Sequence, residues 1–339
     1  MEKKKIRIGN TITEYYFDAS LSKLGQVADK KYSVILTDEN IFNQYQKSFK
    51  GWNTIVLKPG EEYKIQQTAD GVIDSLIDMH ADRKTTLVGI GGGVITDLAG
   101  YVAAVYMRGI RVGFVPTSLL AMVDASIGGK NGIDVGVFKN LVGTIRQPDF
   151  LFFDVSLLKT LPEAEWQNGF AEIIKHACIR DAVMFRELAE KNIDWYRMKK
   201  AALAALVRRN VMLKTKVVQA DETEQGDRKL LNFGHTLGHA LENQFELSHG
   251  QAVAIGMTYA SQLSASMLGF RSAEKVVDLI AKYGLPTFAK FDKVKAFDVL
   301  LHDKKRERSE IHYILLQRIG KGVVQTLPIS EVKRIIEKF

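Results

Sequence analysis

The stretch 230–242 reads LLNFGHTLGHALE, and HGQAVAIGM follows at 249–257. His235 and His239 stand four residues apart, about one helical turn, so both imidazoles project from one face. That is the spacing of metal sites built on i and i+4 histidines. Threonine rather than glutamate follows the first histidine, which separates the pair from the HExxH signature of zinc proteases. On spacing alone both histidines are expected to be ligands. For a bare HxxxH, a surface or satisfied core histidine is an equally good reading. Here the flanking glycines and a third histidine, His249, favour the metal.

Glu172 is a candidate carboxylate ligand, since it lies in GFAEIIKHA (169–177) among Phe170, Ile173 and Ile174. An ionised carboxylate in so apolar a segment needs a cation beside it. Lys175, its i+3 neighbour, offers the alternative of an ordinary helical ion pair. Lys214 continues the line Leu203, Val207, Val211 and Val218 at helical spacing. A lysine on such a stripe either snorkels outward or points into a cleft toward an anion. Arg228, four residues before Asn232, adds a cation on the approach to His235.

A second chemical feature is GIGGGVITDLAG (89–100), which follows an apolar run and opens a helical pattern. Glycines at such a junction let the backbone approach a pyrophosphate, whose charge meets a helix N-terminus. The spacing departs from GxGxxG, because Val94 stands where the third glycine belongs. Three successive glycines followed by Thr96 and Asp97 favour a ligand over a plain tight turn, since glycine weakens a chain that needs no close approach. Asp38, ending an earlier strand-like run, can accept from a ribose hydroxyl or cap a helix.

These residues need elements to hold them. Strand-like runs at 31–40, 52–62, 84–93 and 111–119 alternate with helical patterns such as 65–81, which places Ala69, Ile73, Leu76 and Ile77 on one face. This alternation indicates βαβ units and a mostly parallel sheet. After about Leu161 long amphipathic patterns take over at 163–180, 199–220, 236–246, 252–268 and 273–283. Only 311–319 and 322–327 look extended. The expected fold is α/β: a nucleotide-binding N-terminal domain with a mostly parallel sheet (residues 1–160), then a mainly α-helical metal- and substrate-binding C-terminal domain (161–339).

Composition narrows the partners. The 339 residues are 46% hydrophobic and 25% charged, with a net charge of +8, which is ordinary for a globular chain. The basic residues are scattered among acids, as in DKKRERSE (303–310), with no arginine-rich arm or zinc-finger spacing. Nucleic acid is therefore not the expected partner; small anions are. The single cysteine, Cys178, rules out an intramolecular disulfide and fits a reducing cytoplasm. It sits in an apolar stretch as an inert thiol. The start, MEKKKIRIGN, carries basic residues without an apolar run after them, and no stretch reaches the roughly 18 apolar residues of a membrane span.

Taken together, the chain resembles the 3-dehydroquinate synthases, the sugar phosphate cyclases of the shikimate pathway. The resemblance rests on 91–109, 115–134, FKNLVG (138–143), GFAEIIKHA, LLNFGHTLGHALE and HGQAVAIGM, in that order over nearly the whole length. It implies bound NAD and one divalent metal, zinc or cobalt, held by Glu172, His235 and His249. His239 then becomes an acid/base and substrate-orienting residue instead of a ligand. The resemblance also assigns Asp38, Glu61, Lys64, Gly92, Gly93, Asp97, Thr117, Ser118, Lys130, Lys139 and Thr160 to NAD. Asp124, Lys130, Asn140, Lys175, Lys214, Arg228 and Asn232 match substrate-pocket positions. Arg108 matches a residue that reaches the substrate phosphate across a homodimer interface, and Lys304 or Lys305 one that closes over the site. The implied reaction takes 3-deoxy-D-arabino-heptulosonate 7-phosphate to 3-dehydroquinate and phosphate by transient oxidation, phosphate elimination, re-reduction and aldol closure. Two places depart from the family pattern: residues 131–138 lack its Pro-Leu-Gly, and Gln251 replaces a glutamate. The rival readings are another sugar phosphate cyclase, a metal-dependent glycerol or alcohol dehydrogenase, and a silent nucleotide-binding protein.

Overall fold

Val34, Ile35 and Leu36 in one run, and Leu87, Val88 and Ile90 in another, are all buried. Strands covered on both faces are what a parallel sheet between helices requires. The computed structural model describes residues 1–136, 138–242, 247–301, 306–307 and 310–338. The chain divides into two compact units, one formed by Met1–Leu161 with Lys200–Glu222, the other by Pro162–Lys199 with Thr223–Phe339.

In the first unit the strands are β1 (Glu2–Ile8), β2 (Thr11–Phe17), β3 (Ser33–Asp38), β4 (Asn53–Leu57), β5 (Thr86–Gly91), β6 (Arg111–Pro116), β7 (Lys130–Val135), β8 (Phe138–Ile145) and β9 (Phe150–Phe152). Seven of them form a sheet in the order β1-β2-β9-β6-β5-β3-β4, parallel throughout except for the β1–β2 pair. The mostly parallel α/β sheet read from the sequence is present. The chain runs from β3 outward to β4, then back past β3 to β5 and onward, so the order reverses between β3 and β5. Open α/β sheets bind ligands at the carboxyl ends of the strands flanking such a reversal.

Two hairpins were not apparent in the sequence. The β1–β2 hairpin is an edge, and its first strand is masked by lysines: Lys3 and Lys5 reach Glu14 on β2, at 2.8 and 3.8 Å. Charged residues on an edge strand discourage pairing with other chains and hide the strand pattern. The β7–β8 hairpin is a separate two-stranded sheet. The helix Gln66–Asp78 corrects one detail. Its buried stripe is Ala69, Val72 and Leu76, whereas Ile77 is 56% exposed. The helix is rotated about one residue from the face expected, so Val72 takes the place given to Ile73 and Ile77.

The second unit is mainly helical. Its centre is the helix Glu163–Arg180, buried almost all round from Trp166 to Ile179. Against it lies His249–Leu268, which also packs on the short helix His235–Glu242 and on β11 (Glu310–Arg318). β10 (Arg306–Glu307), β11 and β12 (Lys321–Pro328) form a small antiparallel sheet. Among the described residues no helix is long and apolar enough to cross a membrane.

Candidate functional site

Polar side chains singled out above gather in two clusters, one in each unit. In the helical unit, Glu172 comes from the middle of its buried helix and is fully inaccessible. His235 and His249 each begin a helix. The reason they can face each other is backbone proximity: a Cβ on Gly256 would overlap the Gly234 carbonyl, and Gly234 itself takes a φ of +83°. The glycines around the histidines therefore let two helices meet closely.

The His235 Nε2 lies 3.6 Å and the His249 Nε2 3.3 Å from the same Glu172 oxygen, Oε1. Donors bound at about 2.0–2.1 Å to a tetrahedral ion stand about 3.3–3.4 Å apart. One carboxylate and two imidazoles at this spacing fit a divalent cation. Their tautomers fit as well. Nδ1 of His235 donates to the Phe233 carbonyl at 3.2 Å, and Nδ1 of His249 faces a Glu242 carboxylate oxygen at 3.3 Å. A ligating histidine ordinarily gives its second nitrogen to a carbonyl or carboxylate in this way, which leaves Nε2 for the metal. In the metal-free site burial pushes the His249 pKa down, but the Glu172 and Glu242 carboxylates outweigh it and raise it to about 10, so a metal bound at Nε2 takes the place of a proton.

Lys175 pairs with the other Glu172 oxygen, Oε2, so the buried carboxylate has a cation on one side and the histidines on the other. His239 is one turn beyond His235, with ring centroids 5.3 Å apart edge-on, and stands outside the trio whose donor atoms converge. Arg228 is buried in the segment Asp227–Asn232, and the Asn232 amide donates to Glu224.

Two supporting residues were missed in the sequence. Glu242 is one. Asn168, one turn before Glu172, is the other: its Oδ1 accepts from the Ser248 hydroxyl at 2.6 Å and from the Gly250 amide at 3.1 Å. It thereby ties the start of the His249 helix to the helix that carries Glu172. An asparagine at i−4 from a candidate ligand shares its face, and that spacing was the available signal. The substitution at 251 also finds its explanation. The Gln251 side-chain oxygen accepts from the Ser248 backbone amide at 3.0 Å, and the Gln251 backbone amide donates to the Ser248 hydroxyl, a capping box in which glutamine serves as well as glutamate.

In the α/β unit, Asp38 ends β3 and the glycines end β5, on either side of the order reversal. The three glycines are not equivalent. A Cβ on Gly91 would strike the Ile95 side chain at 2.5 Å, so that glycine serves helix–strand packing. At Gly92 and Gly93 a Cβ would meet only Ser118 Oγ or Ala125 Cβ at 3.6 Å, an ordinary contact, and neither residue has a positive φ. Protein packing does not require glycine there, and the space a Cβ would fill suits the pyrophosphate of a dinucleotide. Asp38 also caps the helix Glu39–Gln44, accepting from the Ile41 amide at 3.0 Å. Its carboxyl is pushed up by burial, against the pull of the Ile41 and Asn40 amides.

Lys64 is buried, 2.5 Å from Asp97, and donates to Asn140 Oδ1 at 2.6 Å. Burial works against its charge, but Asp97 and Glu61 keep the ammonium protonated. Thr117 and Ser118 are buried at the end of β6. Lys214 donates to the Asp124 carbonyl at 2.8 Å and forms an ion pair with its Oδ1, also at 2.8 Å. Glu61, Lys130, Lys139 and Thr160 are exposed. Arg108 is exposed too, and it follows Met107 in a left-handed pair, φ +64° and +50°. Two bulky residues so held cost on the order of 1–2 kcal/mol each, and such strain collects at functional positions. Lys304 and Lys305 lie outside the described residues.

Comparison with known proteins agrees along the chain. The 3-dehydroquinate synthase N-terminal family matches residues 54–168, and its C-terminal family residues 169–306. A 3-dehydroquinate synthase of Dehalococcoides mccartyi is 40% identical over 321 residues, covering 90% of this chain and 89% of that protein. The solved structure of a 2-deoxy-scyllo-inosose synthase complexed with carbaglucose-6-phosphate, NAD+ and Co2+ is similar at TM-score 0.86 and 25% identity, over 99% of this chain and 100% of that one. The 2-epi-5-epi-valiolone synthase of Streptomyces hygroscopicus, with NAD+ and Zn2+ bound, reaches 0.87 at 25% identity, over 100% and 97%.

Proposed function

This chain belongs to the 3-dehydroquinate synthase family, and on that premise we propose that it converts 3-deoxy-D-arabino-heptulosonate 7-phosphate to 3-dehydroquinate and phosphate in the cytoplasm. Its resident cofactors are NAD and one divalent metal, zinc or cobalt. The observation that carries the reading is the convergence of Glu172 Oε1 with Nε2 of His235 and of His249 at 3.3–3.6 Å.

Glu172, His235 and His249 hold the metal; the Gly92–Gly93 turn, Asp38, Lys64 and Asp97 hold the dinucleotide. When bound, these groups supply reversible hydride exchange and a Lewis acid for the substrate hydroxyl. The chain's own side chains do the rest. Lys175 holds Glu172 by its second oxygen, so the ligand carboxylate keeps one orientation. His239 orients the substrate and exchanges a proton with its oxygens. Arg108, Lys130, Lys214 and Arg228 serve the substrate's carboxylate and phosphate, because cations near a leaving phosphate stabilise the charge that develops on it. The phosphate oxygens can themselves take the neighbouring proton, so no further protein base is needed.

A homodimer belongs to the proposal. Strand β8 is exposed along most of its length and shows Phe138, Leu141, Val142 and Ile145 to its surroundings. A row of apolar side chains on an exposed strand calls for a covering partner.

The test is incubation of the pure protein with the heptulosonate phosphate, catalytic NAD and a divalent metal, following phosphate. Release without net NADH supports the reading. Net NADH from a simple alcohol would make it a dehydrogenase, and turnover of another sugar phosphate alone would make it a different cyclase.

A further inference from the structure

Asp134 lies within the stretch where this chain departs from its family, and it touches two of the residues assigned above to ligand binding. Its backbone amide donates to the Lys64 carbonyl at 2.7 Å, in a parallel bridge between Ile65 and Asp134. Its side-chain Oδ1 accepts from the Asn140 amide at 2.6 Å. Asn140 takes a φ of +53° and returns the connection, its Oδ1 accepting from Lys64 Nζ at 2.6 Å. The three residues close a ring in which every link is short.

The ring does chemical work. Left-handed backbone is disfavoured for a residue with a Cβ, least so for asparagine, and an acceptor placed on its amide holds it there. Lysine can only donate, so the atom of Asn140 facing Lys64 has to be oxygen. That fixes the amide orientation, with its NH2 end turned away from Lys64. The same ring steadies the ammonium that meets Asp97.

We propose that Asp134 is a positioning residue: its carboxylate oxygen, as a hydrogen-bond acceptor, sets Asn140 toward the sugar phosphate and Lys64 toward the dinucleotide. The inference rests on the binding roles given above to those two residues. It also explains how this chain keeps its asparagine in place without the family's Pro-Leu-Gly.

The test compares Asp134→Ala with Asp134→Asn in the full-length protein. Asp134 is half-buried, and losing its acceptor oxygen is worth about 1 kcal/mol, or roughly fivefold. The alanine variant is expected to raise the KM for the heptulosonate phosphate and the Kd for NAD by about that factor. The asparagine variant, whose amide oxygen still accepts, is expected to return both to within about twofold. In an Asn140→Ala background the alanine change is expected to add little to KM, because residues acting through one another are not additive. Unchanged KM and Kd in Asp134→Ala would overturn the inference. So would an asparagine variant as impaired as the alanine one, which would assign the effect to charge. NAD affinity is read by fluorescence without turnover. A wild type that binds NAD but releases no phosphate sinks the reaction assignment alone, and the ring is then judged on the variants' Kd.

Discussion

Gly93→Ala is expected to raise stability and lower NAD affinity, two effects of opposite sign from one methyl group. Gly93 is the first residue of the helix Gly93–Val105, and a Cβ there would stand 3.6 Å from Ala125 Cβ, an ordinary contact. Replacing a helical glycine whose conformation alanine can adopt stabilises by about 0.4–1 kcal/mol, chiefly by restricting the unfolded chain. For a chain of this size that is a rise of roughly 1–4 °C in Tm. The methyl would also occupy the space assigned to the pyrophosphate. Displacing one charge-assisted contact to a backbone N–H removes about 1.5–3 kcal/mol, or roughly 10- to 150-fold in Kd. Differential scanning fluorimetry without NAD reads the first effect, and isothermal titration with NAD the second. If Tm falls while Kd stays at the wild-type value, glycine is there for packing and the cradle does not exist.

Three further outcomes are expected. Glu242→Ala removes the acceptor facing His249 Nδ1, and metal affinity measured against a competing chelator should fall by about 10- to 100-fold; an unchanged affinity would leave Glu242 with no role in orienting the ligand. Lys214→Ala should lower kcat/KM for the sugar phosphate by about 100-fold or more with the fold retained by circular dichroism, and wild-type kinetics would reduce Lys214 to a brace for Asp124. Burial pushes the Cys178 thiol well above its usual range, so at pH 7–8 it stays a neutral thiol and should react with a thiol reagent only after unfolding; rapid labelling of the native protein would contradict its burial.

What could be read from the sequence depended on how local the cause was. Strands β3, β5 and β6 announce themselves because burial on both faces demands continuous apolar runs. The β1–β2 hairpin does not, since its edge position filled it with lysines. The helical period of 200–220 identifies a helix but carries no information on which neighbours it joins, and in the structure it packs with the α/β unit. At the Glu172–His235–His249 cluster the same limit applies. Spacing alone singles out the i and i+4 pair, His235 and His239. The donor atoms that converge belong to Glu172, His235 and His249, and 63 residues separate the first of these from the second. Glu242 acts entirely through space, so only coordinates bring it to notice, whereas Asn168 left its i−4 spacing from Glu172 as a faint signal.

The cations expected to meet anionic ligands share a further property. Lys64 has Asp97, Lys175 has Glu172 and Lys214 has Asp124. A lysine buried alone tends to lose its proton, because low dielectric disfavours the charged form. At Lys64 the Asp97 and Glu61 carboxylates outweigh burial and keep the ammonium charged. The net charge of +8 therefore says little about how a phosphate is recognised. Under the proposed function, recognition rests on a few ammonium groups aimed by acids, and Asp97 and Asp124 are expected to matter to ligand binding as much as the lysine each faces.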